Sequence, residues 1–410
     1  MQALRAWLTR PDAEAFPYEA VVAEFNRVGK HFVDRDLLET LDAARATLSA
    51  PAAQGTRPQL ARFLDCALDK FDGRYDNPSY LGIDLLPLPG TPEGDEDPAS
   101  ASRRRDRLFA MLVADLLRFE LEAADGTTSL LPELRPDTRL TAKRCRLGVR
   151  AILPALARLG LRCDVTEADG LAGAREVCRT AFADLTPAER RTLRLTAMPV
   201  YVAHDEYMFI RVLQSYETTF AVIAVHLRTA LAALVEGRAA AAARALLAAE
   251  RAMREAKPLF SLVATMLPEA FLTFREFTDG ASAIQSRSYK AVESLCRRPE
   301  QRRVDSPAYR SVPEVRERVL AGQPTVDEAL QTARDAGRIT AGEHAEICAA
   351  MQRFEAAVLA WRQTHYRLAV TMLGERRGTG YTEGVPYLHD ARRLRVFTGS
   401  EAPAILREAA

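Results

Sequence analysis

The feature that most restricts this chain is a pair of long apolar stripes with helical spacing. Ile347, Met351, Phe354, Val358, Trp361, His365, Leu368 and Met372 follow one another at intervals of four and three, which puts all of them on one face of a single helix. Phe209, Leu213, Tyr216, Phe220, Ile223 and Leu227 repeat the rhythm between Tyr207 and Val235. Period-two alternation of β-branched residues is scarce, so a sheet has little to build on. The run "EGRAAAAARALLAAERAMREA" adds strong helix formers. The expected fold class is all-α.

Signals at the helix ends agree. Thr340 and Glu343 have capping-box spacing ahead of the first stripe, and Gly374 supplies a C-terminal stop. Pro258 should kink or restart the helix that follows the second stripe. In "DGRYDNPSYLGIDLLPLPGTPEGDEDPAS" the Pro-, Gly- and acid-rich half, about residues 88–100, is the best linker. Basic amphipathic helices such as "TAKRCRLGVRAILPALARLGL" come next. Their arginines read as a solvated face, because the aromatics for base stacking are missing. The expected segments are a helical N-terminal region (1–87), a linker and helical insertion (88–200), a main helical domain (201–395) and a tail (396–410).

Bulk properties exclude several classes. A formal net charge of +1 gives a polyanion nothing to recognise. The six cysteines lack CxxC or zinc spacing, as free thiols in a reducing cytoplasm would. No apolar run is expected to approach the ~20 residues of a membrane span, and the N-terminus has no signal-peptide hydrophobic region. Cytoplasmic is the expected location, with neither nucleic acid nor membrane as partner.

His365 is the one strongly polar member of its stripe. Burying imidazole costs free energy unless its nitrogens are served. One reading is a core histidine bonded to a carbonyl or hydroxyl. The other is an axial ligand to haem iron, which needs an apolar slot and one basic nitrogen. A di-iron bundle would use glutamates with Glu-x-x-His spacing, and no such set faces inward.

Three blocks in order carry a resemblance: "HDEYMFIRVLQSYETTF" (204–220), "FLTFREFTDGASAIQS" (271–286) and "WRQTHYRLAVTMLGERRGTGYTEGVPYL" (361–388). Together they resemble the signature blocks of the tryptophan 2,3-dioxygenase family. "SYLGIDLL" (79–86), with Tyr80 and Leu81, more weakly resembles that family's N-terminal tyrosine segment, which reaches into a neighbouring subunit. The resemblance implies a helical-bundle haem domain over 201–395, haem b as cofactor, an aromatic amino acid and O2 as reactants, and a homo-oligomer, tetramer or dimer. His365 matches the proximal haem ligand, Arg275 the arginine that clamps the substrate carboxylate, and Thr379 a threonine holding the amino-acid head group. Phe209 matches a pocket aromatic and Ser282 a distal-loop serine. Arg376 and Arg377 lead into the Gly-rich loop and are expected either to meet the haem propionates or to face solvent.

Three departures accompany the likeness. Leu213 stands where the family has a distal histidine, and Phe271 where it has a tyrosine near the arginine. "GTGYTEGV" replaces the family's run of glycines and serines, placing Tyr381 and Glu383 in the loop. The resemblance therefore implies a haem-dependent oxygenase acting on tryptophan or a tryptophan-derived amino acid, using O2 or peroxide, in secondary metabolism. A ring-cleaving dioxygenase giving N-formylkynurenine, a tyrosine-type hydroxylase and a non-catalytic haem sensor are the alternatives. Retention of Arg275 and Thr379 argues against the sensor, which has no use for an amino-acid clamp.

Overall fold

The computed structural model describes residues 2–48, 58–90, 96–374, 376 and 384–398. Among them there is no strand, only one isolated bridge between Glu133 and Ala203. The fold is all-α.

The helix His204–Val235 runs through the centre. It is apolar nearly all round, and such a helix must be covered on every side. Helices Pro98–Ala124, Ala239–Glu255, Arg287–Cys296 and Val326–Asp335 cover it. Its few hydroxyls are satisfied within the helix, Ser215, Thr218 and Thr219 each donating to the carbonyl four residues back. This helix is the correction to one expectation from the sequence. It is long and apolar enough to cross a membrane, with hydropathy 1.7 over its best window, but 72% of that window is buried inside the protein. Its apolar surface is spent on core packing.

The helix carrying His365 spans Ala341–Leu373 and lies along Ala239–Glu255. Thr340 and Glu343 close the capping box, and Gly374 ends the helix with φ 57°. Pro258 acts as expected: one helix stops at Glu255 and a new one, Lys257–Val263, carries the proline in its first turn, where its missing N–H costs nothing.

The linker is shorter than expected. Asp97 caps a helix that already starts at Pro98. That helix and its neighbours Thr138–Arg158 and Gly170–Asp184 share one apolar cluster with the central helix, so the core runs straight across residue 200. Gly148 permits the closest approach, for a Cβ there would meet Leu117 Cδ2 at 2.5 Å. Buried charge fixes the register. Arg144 bonds Glu120 at 3.0 Å and Asp205 at 2.7 Å, and Arg211 bonds Asp115 at 2.6 Å.

Helices Gln2–Thr9, Tyr18–Val28, Arg35–Thr47 and Gln59–Ala67 enclose a second, smaller core around Phe25, Leu41 and Phe63. It docks through Gly29, whose φ of 85° and missing side chain let the backbone pass Val200. A buried Lys30–Asp69 ion pair of 2.8 Å lies beside this contact. From there the chain enters the turn Asn77–Tyr80 and reaches the cavity described next.

Candidate functional site

A cavity of about 210 Å³ lies between the central helix and the helix Ala341–Leu373. Phe209, Leu213, Phe271, Arg275, Ser282, Tyr80, Leu81 and His365 all line it. These residues, singled out by the family resemblance and drawn from four separate stretches of chain, therefore meet in one place.

His365 is half-buried, not enclosed within its stripe, because its side of the helix faces this space. Among the described residues its imidazole makes no hydrogen bond. Its ring neighbours are Phe260, centroids 6.0 Å apart and nearly parallel, and Trp361 at 5.4 Å. Burial pushes its pKa down to about 4, so it presents a neutral imidazole with a free lone pair. The described residues supply neither the carbonyl nor the hydroxyl that a core histidine would use.

Apolar rings continue the wall. Tyr216, Phe220, Phe260 and Tyr289 surround Trp361 at centroid distances of 5.1–5.9 Å from one another or from it. Trp361 Nε1 is buried without an acceptor. A slot lined by rings and aliphatic groups, with one uncommitted imidazole, fits a haem. A polynuclear metal site is not supported, since no cluster of three or more His, Cys, Asp or Glu exists among the described residues.

A second group of rings lies around Phe209, which meets Phe271 at 5.9 Å and Phe274 at 5.4 Å. With Leu213 and Leu81 they make a wall without hydrogen-bonding side chains. Arg275 ends the helix Pro268–Arg275 and is half-buried at this wall. Burial, and then the charge of Arg376, hold its pKa below the ordinary arginine value. Arg376 itself is exposed and does not line the cavity. Arg377 and Thr379 lie outside the described residues, as do Tyr381 and Glu383.

The tyrosine segment reaches the cavity of its own chain. The Tyr80 hydroxyl donates to Glu206 Oε1 at 3.1 Å, and the Leu81 carbonyl accepts from Gln214 Nε2 at 2.7 Å. Tyr80 therefore offers the cavity its ring, its hydroxyl being committed. Burial raises Glu206 to about 8, against the pull of the Val200 and Tyr201 N–H groups and the Tyr80 hydroxyl.

Two residues at the cavity escaped the sequence reading, one bracing its wall and one lining it. Gln285 Oε1 accepts from Asn77 N at 2.9 Å and Ser282 N at 3.0 Å, tying the tyrosine turn to the distal loop. Glu217, one turn beyond Leu213, lines the cavity and is 4% exposed. Burial pushes its carboxyl up, while the Ser286 and Ser288 hydroxyls favour its charged form. The only signal for Glu217 was a carboxylate at helical spacing in an apolar block.

Comparison with known proteins adds to this geometry. Residues 191–338 match the family described as tryptophan 2,3-dioxygenase. The chain is similar to the tryptophan 2,3-dioxygenase of Anaeromyxobacter dehalogenans, 25% identical over 45% of this chain and 81% of the relative. It is also similar to those of Caulobacter vibrioides, 26% identical over 48% and 88%, and of Bradyrhizobium sp. ORS 278, 26% over 53% and 90%. The family match holds Phe209, Leu213, Phe271, Arg275 and Ser282 but stops before His365.

Proposed function

We propose that this chain, a divergent member of the tryptophan 2,3-dioxygenase family, is a haem-dependent oxidoreductase that oxidises the ring of tryptophan or a tryptophan-derived amino acid. The observation that carries the proposal is the convergence, in one ring-lined cavity, of the uncommitted imidazole of His365 and the guanidinium of Arg275. His365 would hold the iron of haem b, with Trp361, Phe260 and Tyr289 packed against the macrocycle. Bound haem would supply the iron at which O2 is activated.

The chain's own residues do the rest. Arg275 receives the substrate carboxylate through two parallel charge-assisted bonds, which orient the amino acid as well as hold it. Thr379 takes the head group, as the family likeness implies. Phe209, Leu213, Leu81 and Phe271 enclose the ring and keep water away. None of these four side chains donates or accepts a hydrogen bond, so they position the ring by shape and themselves give its indole N–H no acceptor.

That apolar wall favours a second reading on the outcome: insertion of one oxygen atom, in secondary metabolism, in place of ring cleavage. Labelling decides between them. The reduced protein is mixed with tryptophan and then 18O2, and the product is weighed. Two labelled atoms mean a ring-cleaving dioxygenase despite Leu213, and one labelled atom means a monooxygenase. His365→Ala tests the cofactor assignment beneath both, by loss of the Soret band in purified protein; undiminished haem loading would overturn the ligand role.

A further inference from the structure

A second cavity, of about 590 Å³, adjoins the first. It is formed by the end of the helix Arg287–Cys296, the turn Gln301–Val304 and the segment from Tyr387 to Val396. The two cavities have Tyr387 as their common wall. In character they are opposite. Arg297, Arg302, Arg303, Arg362, Arg393 and Arg395 line the second one, against only Glu293, Glu300 and Asp390. A chain with a net charge of +1 has concentrated its positive charge in one concave place.

Half of these arginines are committed. Arg303 forks onto Glu293 at 2.7 and 3.0 Å and donates to the Tyr387 hydroxyl at 2.8 Å. Arg395 bonds the buried Glu355 at 3.0 Å, and Arg302 meets Glu300 at 2.8 Å. Arg362 is 7% exposed, donates to the Tyr289 hydroxyl and the Leu394 carbonyl, and feels the charge of Glu293. Arg297, half-buried, and Arg393, exposed, line the cleft with no side-chain hydrogen bond or ion pair among the described residues.

We propose that this cleft is a second ligand site, for a small molecule bearing phosphate groups. Two guanidiniums without an acid partner among the described residues, Arg297 and Arg393, set in an arginine-lined cleft, favour an anion with more than one charge and several acceptors, which one carboxylate lacks and a phosphoryl group offers. The site is distinct from the cavity holding His365 and does not depend on the function proposed for that cavity. Arg362 lies three residues before His365 on one helix and holds Tyr289, a wall of the first cavity, so the two sites are mechanically joined.

Calorimetric titration of the haem-loaded full chain with inorganic pyrophosphate, at fixed ionic strength, tests the proposal. Saturable one-to-one binding is expected, weakened about tenfold by either Arg297→Ala or Arg393→Ala and untouched by Arg146→Ala, an exposed arginine elsewhere. No saturable heat, or equal affinity in both cleft variants, overturns it. Citrate binding where pyrophosphate does not would replace phosphate with carboxylate as the ligand chemistry, and so overturn the class named here. Pyrophosphate binding to haem-free protein alone would mean that the cleft serves the cofactor's own carboxylates, which also overturns it.

Discussion

Arg275 sits half-buried beside Arg376 at the edge of a wall of rings and aliphatic groups. Losing it leaves a carboxylate desolvated and unpaired, which costs about 2–5 kcal/mol. Titrating the Soret band with tryptophan should show the dissociation constant of Arg275→Ala rising by at least an order of magnitude, and an unchanged constant would remove the clamp. The opposite end of the substrate should be permissive. Phe209, Leu213 and Phe271 give the indole nitrogen no partner, so methylating it forfeits no hydrogen bond. Its dissociation constant is expected within about threefold of that of tryptophan, under 1 kcal/mol, whereas a loss of a hundredfold would mean that an acceptor for the N–H exists. These positions could be picked out because each sits at fixed spacing in a short block. Gln285 and Glu217 could not, because what makes them matter is their contacts. Gln285 meets Asn77 across 208 positions of chain, and no local pattern encodes that.

At the scale of elements, local chemistry gave sharp boundaries and long-range packing gave surprises. The capping box at Thr340 and the stop at Gly374 bound a 33-residue helix, and both could be read because a cap is satisfied by residues three or four apart. The tyrosine turn is different. Family likeness suggests a reach into a neighbouring subunit, yet here Glu206, Gln214 and Gln285 of the same chain receive it. Gln285 is the joint, since its one oxygen serves both the turn and the loop at Ser282. Gln285→Ala strands two backbone N–H groups, at about 1–3 kcal/mol each where buried. Chemical denaturation should register the loss, and KM for the substrate should rise while the Soret band keeps its intensity. If stability falls with KM unmoved, the joint braces the fold but does not shape the pocket.

At the scale of the whole molecule, the long apolar helix shows why composition alone misjudges a large helical core: a segment surrounded by other helices looks like a segment surrounded by lipid. Buried histidines give that core a pH dependence whose sign follows from their surroundings. Burial, and then the charge of Arg251, push His226 down to about 4, and burial alone does the same to His365. Both are neutral in the folded protein between about pH 6.5 and pH 4, where their unfolded counterparts take up protons. The unfolded chain thus binds more protons, and stability must fall as pH falls through that window. Each histidine adds up to about 1.4 kcal/mol per pH unit to the slope. His226 isolates the effect because it is remote from the proposed haem ligand. Its Nε2 lies 3.2 Å from Ser102 Oγ, whose own proton goes to the Pro98 carbonyl, so the ring nitrogen is the donor and glutamine can replace it. Denaturation of His226→Gln between pH 6.5 and 4.5 should show a shallower acid slope than the parent by about that amount, with the two converging in relative stability above pH 7. Equal slopes would mean that His226 is protonated in the fold, and that the acid sensitivity of this core arises from its carboxylates.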